Sequence, residues 1–239
     1  DGARKEWGDL LGRASRVTIP DPGVETAFRA CLADLFIMRE PVAGGYVAAV
    51  PGTECYRAPN AFEAAIVAVA IDQAGLHDEA ATGYQMCLDM QEPDGNWDDP
   101  KGWGHLMWGG AGFKAWAAME HYRLTRDRRY LARVFPRLAA SSRWQESERA
   151  RTRVMNGTVG GTSASREEKD AGQGRPAHNY GAERPVPYGL MPRGMGDAGL
   201  MNDGDLYGIF LPHNIWAVYA DRLAVEAAEM LGKKKDAAE

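Results

Sequence analysis

The sequence is poor in cysteine, in excess charge of either sign and in long apolar runs, and each scarcity excludes something. Its three cysteines, Cys31, Cys55 and Cys87, are odd in number and form no Cys-x-x-Cys or Cys/His ligand spacing. Neither a disulfide framework nor a metal centre is therefore expected. Lys and Arg total 28 against 33 Asp and Glu, a net charge of −5, and no basic stripe stands out. That balance argues against a nucleic-acid partner, whose phosphates need a basic face. The longest apolar run, Ala64–Ile71, has eight residues, far short of the roughly 20 that cross a bilayer, so no membrane partner is expected. The chain also lacks Gly-x-Ser-x-Gly, a P-loop and Gly-x-Gly-x-x-Gly, so hydrolase-elbow, nucleotide and dinucleotide chemistry are without their signatures, and no cofactor is implied.

What is present is enough apolar material for a core, 45% of the 239 residues, carried on a helical period. Six segments show that period, and none alternates long enough to form a sheet, so the expected fold is all-α, a single domain over residues 1–239. The helices expected are Val24–Arg39, with Ala27, Cys31, Leu35 and Met38 inward; Ala61–Ala74, deeply buried through Phe62, Ala65, Ile66, Val69 and Ala70; and His77–Gln91, with Ala80, Tyr84, Cys87 and Leu88 inward. Gly112–Leu124 and a helix from about Arg128 to Ser147 form a hairpin around Thr125-Arg126-Asp127, whose Asp is a natural N-cap. A last helix runs from Pro212 to Leu231 and stops at Gly232, a C-terminal glycine that readily turns left-handed. Residues 149–208, 60 in all, show no helical period. A connection of that length is usually functional or mobile, and it is read here as a partly mobile, site-forming loop.

Two connections concentrate groups that recognise sugars. Gln91–Trp108 holds three tryptophans and four acids in 18 residues. Indole faces stack on pyranose rings while carboxylates and amides bind hydroxyls, so Trp97, Asp98, Trp103, His105 and Trp108 are candidate substrate contacts, with Trp97 expected to be the most exposed. The competing reading is that Trp103 and Trp108 merely plug helix ends. Tyr188–Tyr207 is rich in glycine and carries Asp197, Asp203 and Asp205 within nine residues. A carboxyl among other acids can keep its proton and serve as a general acid, so these three are the catalytic candidates, Asp197 first. Turn formation is the competing role of Asp203 and Asp205, and a calcium loop is disfavoured because the later Gly and Glu of an EF-hand are missing. Arg193 in this connection and Tyr56 and Arg57 before the second helix complete the candidate substrate contacts. His121, mid-helix, reads better as a core or hydrogen-bonded histidine than as a catalyst, and Cys55 as a structural thiol.

Residues Gly109–Trp116, Glu120–Leu131, Pro136 and Trp144 together resemble the middle hairpin of the six-hairpin glycosidases, which are (α/α)6 toroids. Gly189-Leu190-Met191-Pro192 through Asp197, followed by Asn214-Ile215-Trp216, is similar to the loop that carries the general acid in that superfamily. The stretch from Gly196 to Gly204 is also similar to the Gly-Asp-Trp-Asn-Asp-Gly of its cellobiose-phosphorylase branch, with Ala198 in place of the tryptophan and Gly199-Leu200-Met201 inserted. Either Asp197 or Asp203 therefore matches the acid. The resemblance implies helical hairpins of a toroid and, because six helices stand against the superfamily's twelve, about half of a barrel.

The function that the resemblance implies is glycoside hydrolysis of an oligo- or polysaccharide by carboxylate acid/base catalysis, with an inverting outcome expected from the family resemblance alone. Such cleavage ordinarily uses two carboxyl groups, and the second is expected from a further segment or another chain that completes the toroid. The partner is a carbohydrate. Alternatives on the same toroid are a polysaccharide lyase, a sugar epimerase or a non-catalytic carbohydrate-binding fragment. Gln91, Gly95 and Trp97 also fit one copy of the Gln-x3-Gly-x-Trp repeat of triterpene cyclases, although the surrounding acids favour hydroxyl-rich ligands.

Overall fold

The structure, a computed structural model, describes residues 2–52, 57, 61–97, 108–153, 188–195 and 207–238. Among them are seven helices: α1 (Gly2–Gly12), α2 (Pro22–Ile37), α3 (Ala61–Gln73), α4 (His77–Asp89), α5 (Gly110–Thr125), α6 (Arg128–Arg151) and α7 (Leu211–Met230). Two small antiparallel sheets accompany them, β1 (Arg39–Val42) with β2 (Tyr46–Ala49) and β3 (Gly194–Met195) with β4 (Tyr207–Gly208). The all-α expectation is met in its coarse form, with none of the described helices long and apolar enough to cross a membrane.

Helix boundaries follow local chemistry. Asp21 caps α2, its carboxylate accepting from the Gly23 amide at 2.7 Å, and Pro22 opens the first turn. Asp127 does the same for α6 through the Arg129 amide at 2.8 Å. Between α5 and α6, Arg126 takes a left-handed φ of 56°, which reverses the chain in two residues and makes the expected antiparallel hairpin. Ala74-Gly75-Leu76 reverses it between α3 and α4, with Gly75 at φ 82°.

Helix packing gives two layers. Gly112 of α5 lies against Trp216 of α7, and eleven residues on Arg123 pairs with Glu226, so α5 and α7 run parallel. On the other side of α5 lies α3, its C-terminal Asp72 bonded to His121 near the C-terminus of α5. The helices α3, α5 and α7 thus form one parallel layer. Behind them, α4 returns against α3 and α6 against α5 and α7. The antiparallel sense of α6 and α7 shows in Ser142 donating to Asp221 and, at the far end, Lys233 over the Phe135 ring. The main core fills the space between α5, α6 and α7 with Leu131, Val134, Leu138, Met119, Leu223 and Ala227, each at most 2% exposed. A second core joins α3, α4 and β2 through Val67, Ile71, Leu76, Ala80 and Tyr84.

Several expectations are corrected. The first helix stops at Ile37, two residues short of the expected Arg39, because Arg39–Val42 pairs with Tyr46–Ala49 around Gly44 and Gly45, both at positive φ. Ala27 and Cys31 do not face a core: Leu32 is the one fully buried residue of α2, and Val24, Phe28 and Ile37 are exposed. Ile66, expected inward, is exposed at 45%, and Ile215, at helical spacing with the buried residues of α7, at 58%, because both stand on faces that no described element covers. Helix α1 was not expected at all, and none of its residues is buried. After Gly232 the chain makes a further turn, the Ala237 amide donating to the Lys233 carbonyl at 3.1 Å.

Candidate functional site

Because α3, α5 and α7 are parallel and each is entered from a connection, the three connections arrive at one end of the layer. The described ends of two of them meet there. Trp108, closing the tryptophan-rich connection, and Met191, near the start of the Gly/Asp-rich one, share a buried cluster with Trp144 of α6 and Ala217 of α7. The Trp108 and Trp144 rings are 5.5 Å apart and tilted by 33°. Residues 188–195 are tied at both sides: Thr152 at the end of α6 donates to the Leu190 carbonyl at 2.7 Å, and the Met191 amide donates to Asn214 Oδ1 in the first turn of α7 at 2.8 Å. Asn214 also donates to the Phe210 carbonyl at 3.0 Å, so one side chain ties the connection to the helix start. Gly194 pairs with Gly208 and Met195 with Tyr207, which sets β3 beside β4.

Of the candidate contacts, Arg57 and Arg193 keep accessible positions. The Arg57 guanidinium is 51% exposed and pairs with Glu40 on β1, and Arg193 is exposed beside β3. Trp97 and Trp108 are corrected. Trp97, expected at the surface, is 1% exposed: its Nε1–H donates to the Cys87 carbonyl at 2.7 Å, and its own carbonyl accepts from the buried Lys114 ammonium at 2.5 Å. A tryptophan anchored inside the core by its indole N–H and its backbone carbonyl has no face for a sugar ring. Trp108 is also 1% exposed, which favours the helix-plugging role over stacking. Gln91 of the Gln-x3-Gly-x-Trp set donates to the carbonyls of Gly95 and Arg137, so that motif fastens the end of α4 to α6. Tyr56, Asp98, Trp103, His105, Asp197, Asp203 and Asp205, together with Cys55, lie outside the described residues.

Two groupings escaped sequence reasoning. Deep between the helices, Asp72 is 0% exposed and accepts from His77 Nδ1, from His121 Nδ1 at 2.9 Å and from the Tyr84 hydroxyl at 3.1 Å. The His121 ring also meets Tyr130 edge-on at 4.5 Å, so α3, α4, α5 and α6 converge on one polar knot. Burial, reinforced by the Asp72 charge, raises the pKa of Tyr84 well above the phenolic range. Burial also pushes the Cys87 thiol up to about 11. His121 is thus the hydrogen-bonded core histidine expected, and the signal that would have found its partner is an Asp near the end of the preceding parallel helix. The second grouping lies on the open side of the α5–α7 seam. Phe113 and Trp216 stack with centroids 3.9 Å apart, Trp116 and Tyr219 flank them, and all four are half-buried. Beyond them Arg123 binds Glu120 and Glu226, both at 2.6 Å. Burial disfavours its charge, but bonds to Glu226, Glu120 and Tyr219 outweigh that and hold its pKa above the usual value.

Among the described residues no group of three His, Cys, Asp or Glu side chains is placed to hold a metal ion. No family model matches the chain, and neither a curated protein nor a solved structure matches it.

Proposed function

We propose that the chain is part of an (α/α)-toroid glycoside hydrolase that binds an oligo- or polysaccharide at the connection end of its parallel layer. One observation carries the reading: Trp108 and Met191, from connections more than 80 residues apart in sequence, pack in one cluster at the N-terminal ends of α5 and α7. The Gly/Asp-rich connection with Asp197, Asp203 and Asp205 therefore starts beside the tryptophan-rich one, as a sugar cleft built from both requires. The layering supports the same reading. Three parallel helices backed by antiparallel partners match the inner and outer helices of such a toroid, and the exposed Ile66 and Ile215 match positions that would face its interior.

With Trp97 and Trp108 buried, the contacts retained in this reading are Arg57 and Arg193 at the rim, Tyr56, Asp98, Trp103 and His105 within the connections, and the Phe113–Trp216 pair on the open side. Asp197 or Asp203 supplies the leaving-group proton, and a second carboxyl from outside this chain completes the pair. Binding is therefore the first test. Isothermal titration against neutral gluco-, manno- and xylo-oligosaccharides should find a ligand whose affinity falls about tenfold in Arg193→Ala or Trp216→Ala. Where turnover accompanies binding, Asp197→Asn or Asp203→Asn should remove it and leave affinity intact. Absence of binding to every glycan would overturn the reading.

A further inference from the structure

The buried face of α6 changes character along its length. Leu131, Val134 and Leu138 are apolar and lie in the main core, but the next two positions of the same stripe are Ser141 and Gln145, 1% and 0% exposed. Nothing in helix formation asks for that change, since leucine or alanine would continue the stripe. Neither side chain has a hydrogen-bond partner among the described residues: Ser141 Oγ, Gln145 Oε1 and Gln145 Nε2 are all buried and unpaired, and so is the indole Nε1 of Trp108. The Trp108 ring packs on that of Trp144, which precedes Gln145 and lies three residues after Ser141 on α6. The four atoms therefore belong to one end of the α5–α6 hairpin, the end where Trp108 packs on Trp144 beside Met191.

Native proteins rarely leave buried polar groups unpaired, and each such group costs stability. Several together, all neutral, constitute a donor and acceptor set: the indole donates once, the amide donates twice and accepts, and the hydroxyl does both. We infer that Trp108, Ser141 and Gln145 form a binding site for neutral hydroxyl oxygen. A hydroxyl both donates and accepts, which matches this set, whereas a cation or a carboxylate would meet no opposite charge in it, the charge of Arg149 one turn on being balanced by Glu146 and Asp221. Two sources share that chemistry, internal water and a sugar hydroxyl, the latter meeting Trp108 only through its N–H because the buried ring is closed to stacking. Only the second rests on the sugar-binding reading given above.

The test compares wild type with Gln145→Met, which keeps the volume and removes the amide, and with Ser141→Ala as the milder variant should the first not fold. Water oxygen-17 relaxation dispersion measures long-lived internal water, and thermal unfolding and oligosaccharide titration are run on the same proteins. Loss of at least one long-lived water in the variant, with Tm unchanged or lower, supports the site and identifies water as its occupant. Displacement of that water by an oligosaccharide, with a tenfold or greater loss of affinity in the variant, supports it and identifies the sugar. If the wild type binds no glycan, the functional proposal fails while the relaxation measurement still decides the site. Unchanged long-lived water and unchanged glycan affinity, together with a Tm raised by about 3 °C or more on removing an unpaired amide, would overturn it.

Discussion

Replacing Asp72 by alanine should cost more stability than replacing almost any apolar residue of the same size. Its carboxylate is 0% exposed and accepts from three side chains on two other helices, so the substitution leaves Tyr84 and His121 with buried donors and nothing to receive them. His77 suffers less, because its side chain is 43% exposed and water replaces the lost acceptor. Each fully buried unpaired donor costs about 1–3 kcal/mol, and removing the centre of a buried charged network about 3–5 kcal/mol, so the expected loss is about 3–5 kcal/mol. For a chain of this size that lowers Tm by about 6–20 °C. Tyr84→Phe deletes one bond to the same carboxylate and should cost about 1–2 kcal/mol. Because the two share an interaction, the double variant should lose less than the sum of the two, with a coupling of about 0.5–3 kcal/mol. Urea unfolding followed by far-ultraviolet circular dichroism measures all four corners of that cycle, and unchanged m-values show that the unfolding reaction is the same. A loss below about 1 kcal/mol for Asp72→Ala, or strict additivity, would refute the claim that the network holds α3, α4 and α5 together.

Four further outcomes follow from other parts of the molecule. Cys87 is buried and its thiol is raised to about 11 from 9.0: between those values the unfolded chain gives up its proton first, so stability falls with rising pH by up to about 2–3 kcal/mol, a slope that Cys87→Ala should flatten. In the same protein Cys31 is exposed, so a thiol reagent should label it in the native state and reach Cys87 only on unfolding. Asp127 accepts from the Arg129 and Tyr130 amides, which holds its carboxyl below the usual value; its stabilisation is present above the ordinary carboxylate range and is lost as pH falls through the folded value, so Asp127→Asn should narrow the Tm difference between pH 6 and pH 3. Gly112 lies so close to α7 that an added Cβ would stand 2.6 Å from the Trp216 carbonyl oxygen and 2.7 Å from its Cβ, so Gly112→Ala should cost about 1–3 kcal/mol by forcing the helices apart, with loss of the Phe113–Trp216 near-ultraviolet signal; an unchanged spectrum and Tm would show that the helices do not approach this closely.

Much of the fold was legible because its signals are local. The Thr125-Arg126-Asp127 break combines an N-cap with a reversal, and Gly75 and Gly232 end their helices at φ 82° and 74°, so hairpins and stops could be read residue by residue. The inward face of α4 was legible for the same reason, since Ala80, Tyr84, Cys87 and Leu88 repeat at helical spacing and all are buried. What escaped depends on neighbours. Four-residue strands such as β1 and β2 are too short to show alternation, and Gly44-Gly45 was the one local hint of their turn. Ile66 and Ile215 have the spacing of inward residues, yet apolarity states only that a side chain prefers cover, not which element provides it.

Aromatic residues in a polar connection posed the same ambiguity at the site, and Trp97 shows how it resolves. Its flanking Asn96 and Asp98 made it look like a surface residue, but an indole carries a large apolar area and one donor, and the Cys87 carbonyl at the end of α4 satisfies that donor inside the core. Burial followed from a backbone acceptor that no side-chain pattern advertises. The converse holds for Phe113, Trp116, Trp216 and Tyr219, which sit inside helices at helical spacing and yet keep part of their surface on the open side of the seam. A tryptophan is thus placed by where its N–H finds an acceptor and by how many layers cover its helix. Neither is written in the residues beside it, whereas the acids of the Gly/Asp-rich connection are legible as acids wherever the backbone carries them. If this chain binds sugars, the aromatic surface that stacks on them should therefore be sought on the α5–α7 seam, and Trp216→Ala should weaken glycan binding where Trp97→Phe leaves it unchanged and lowers only stability.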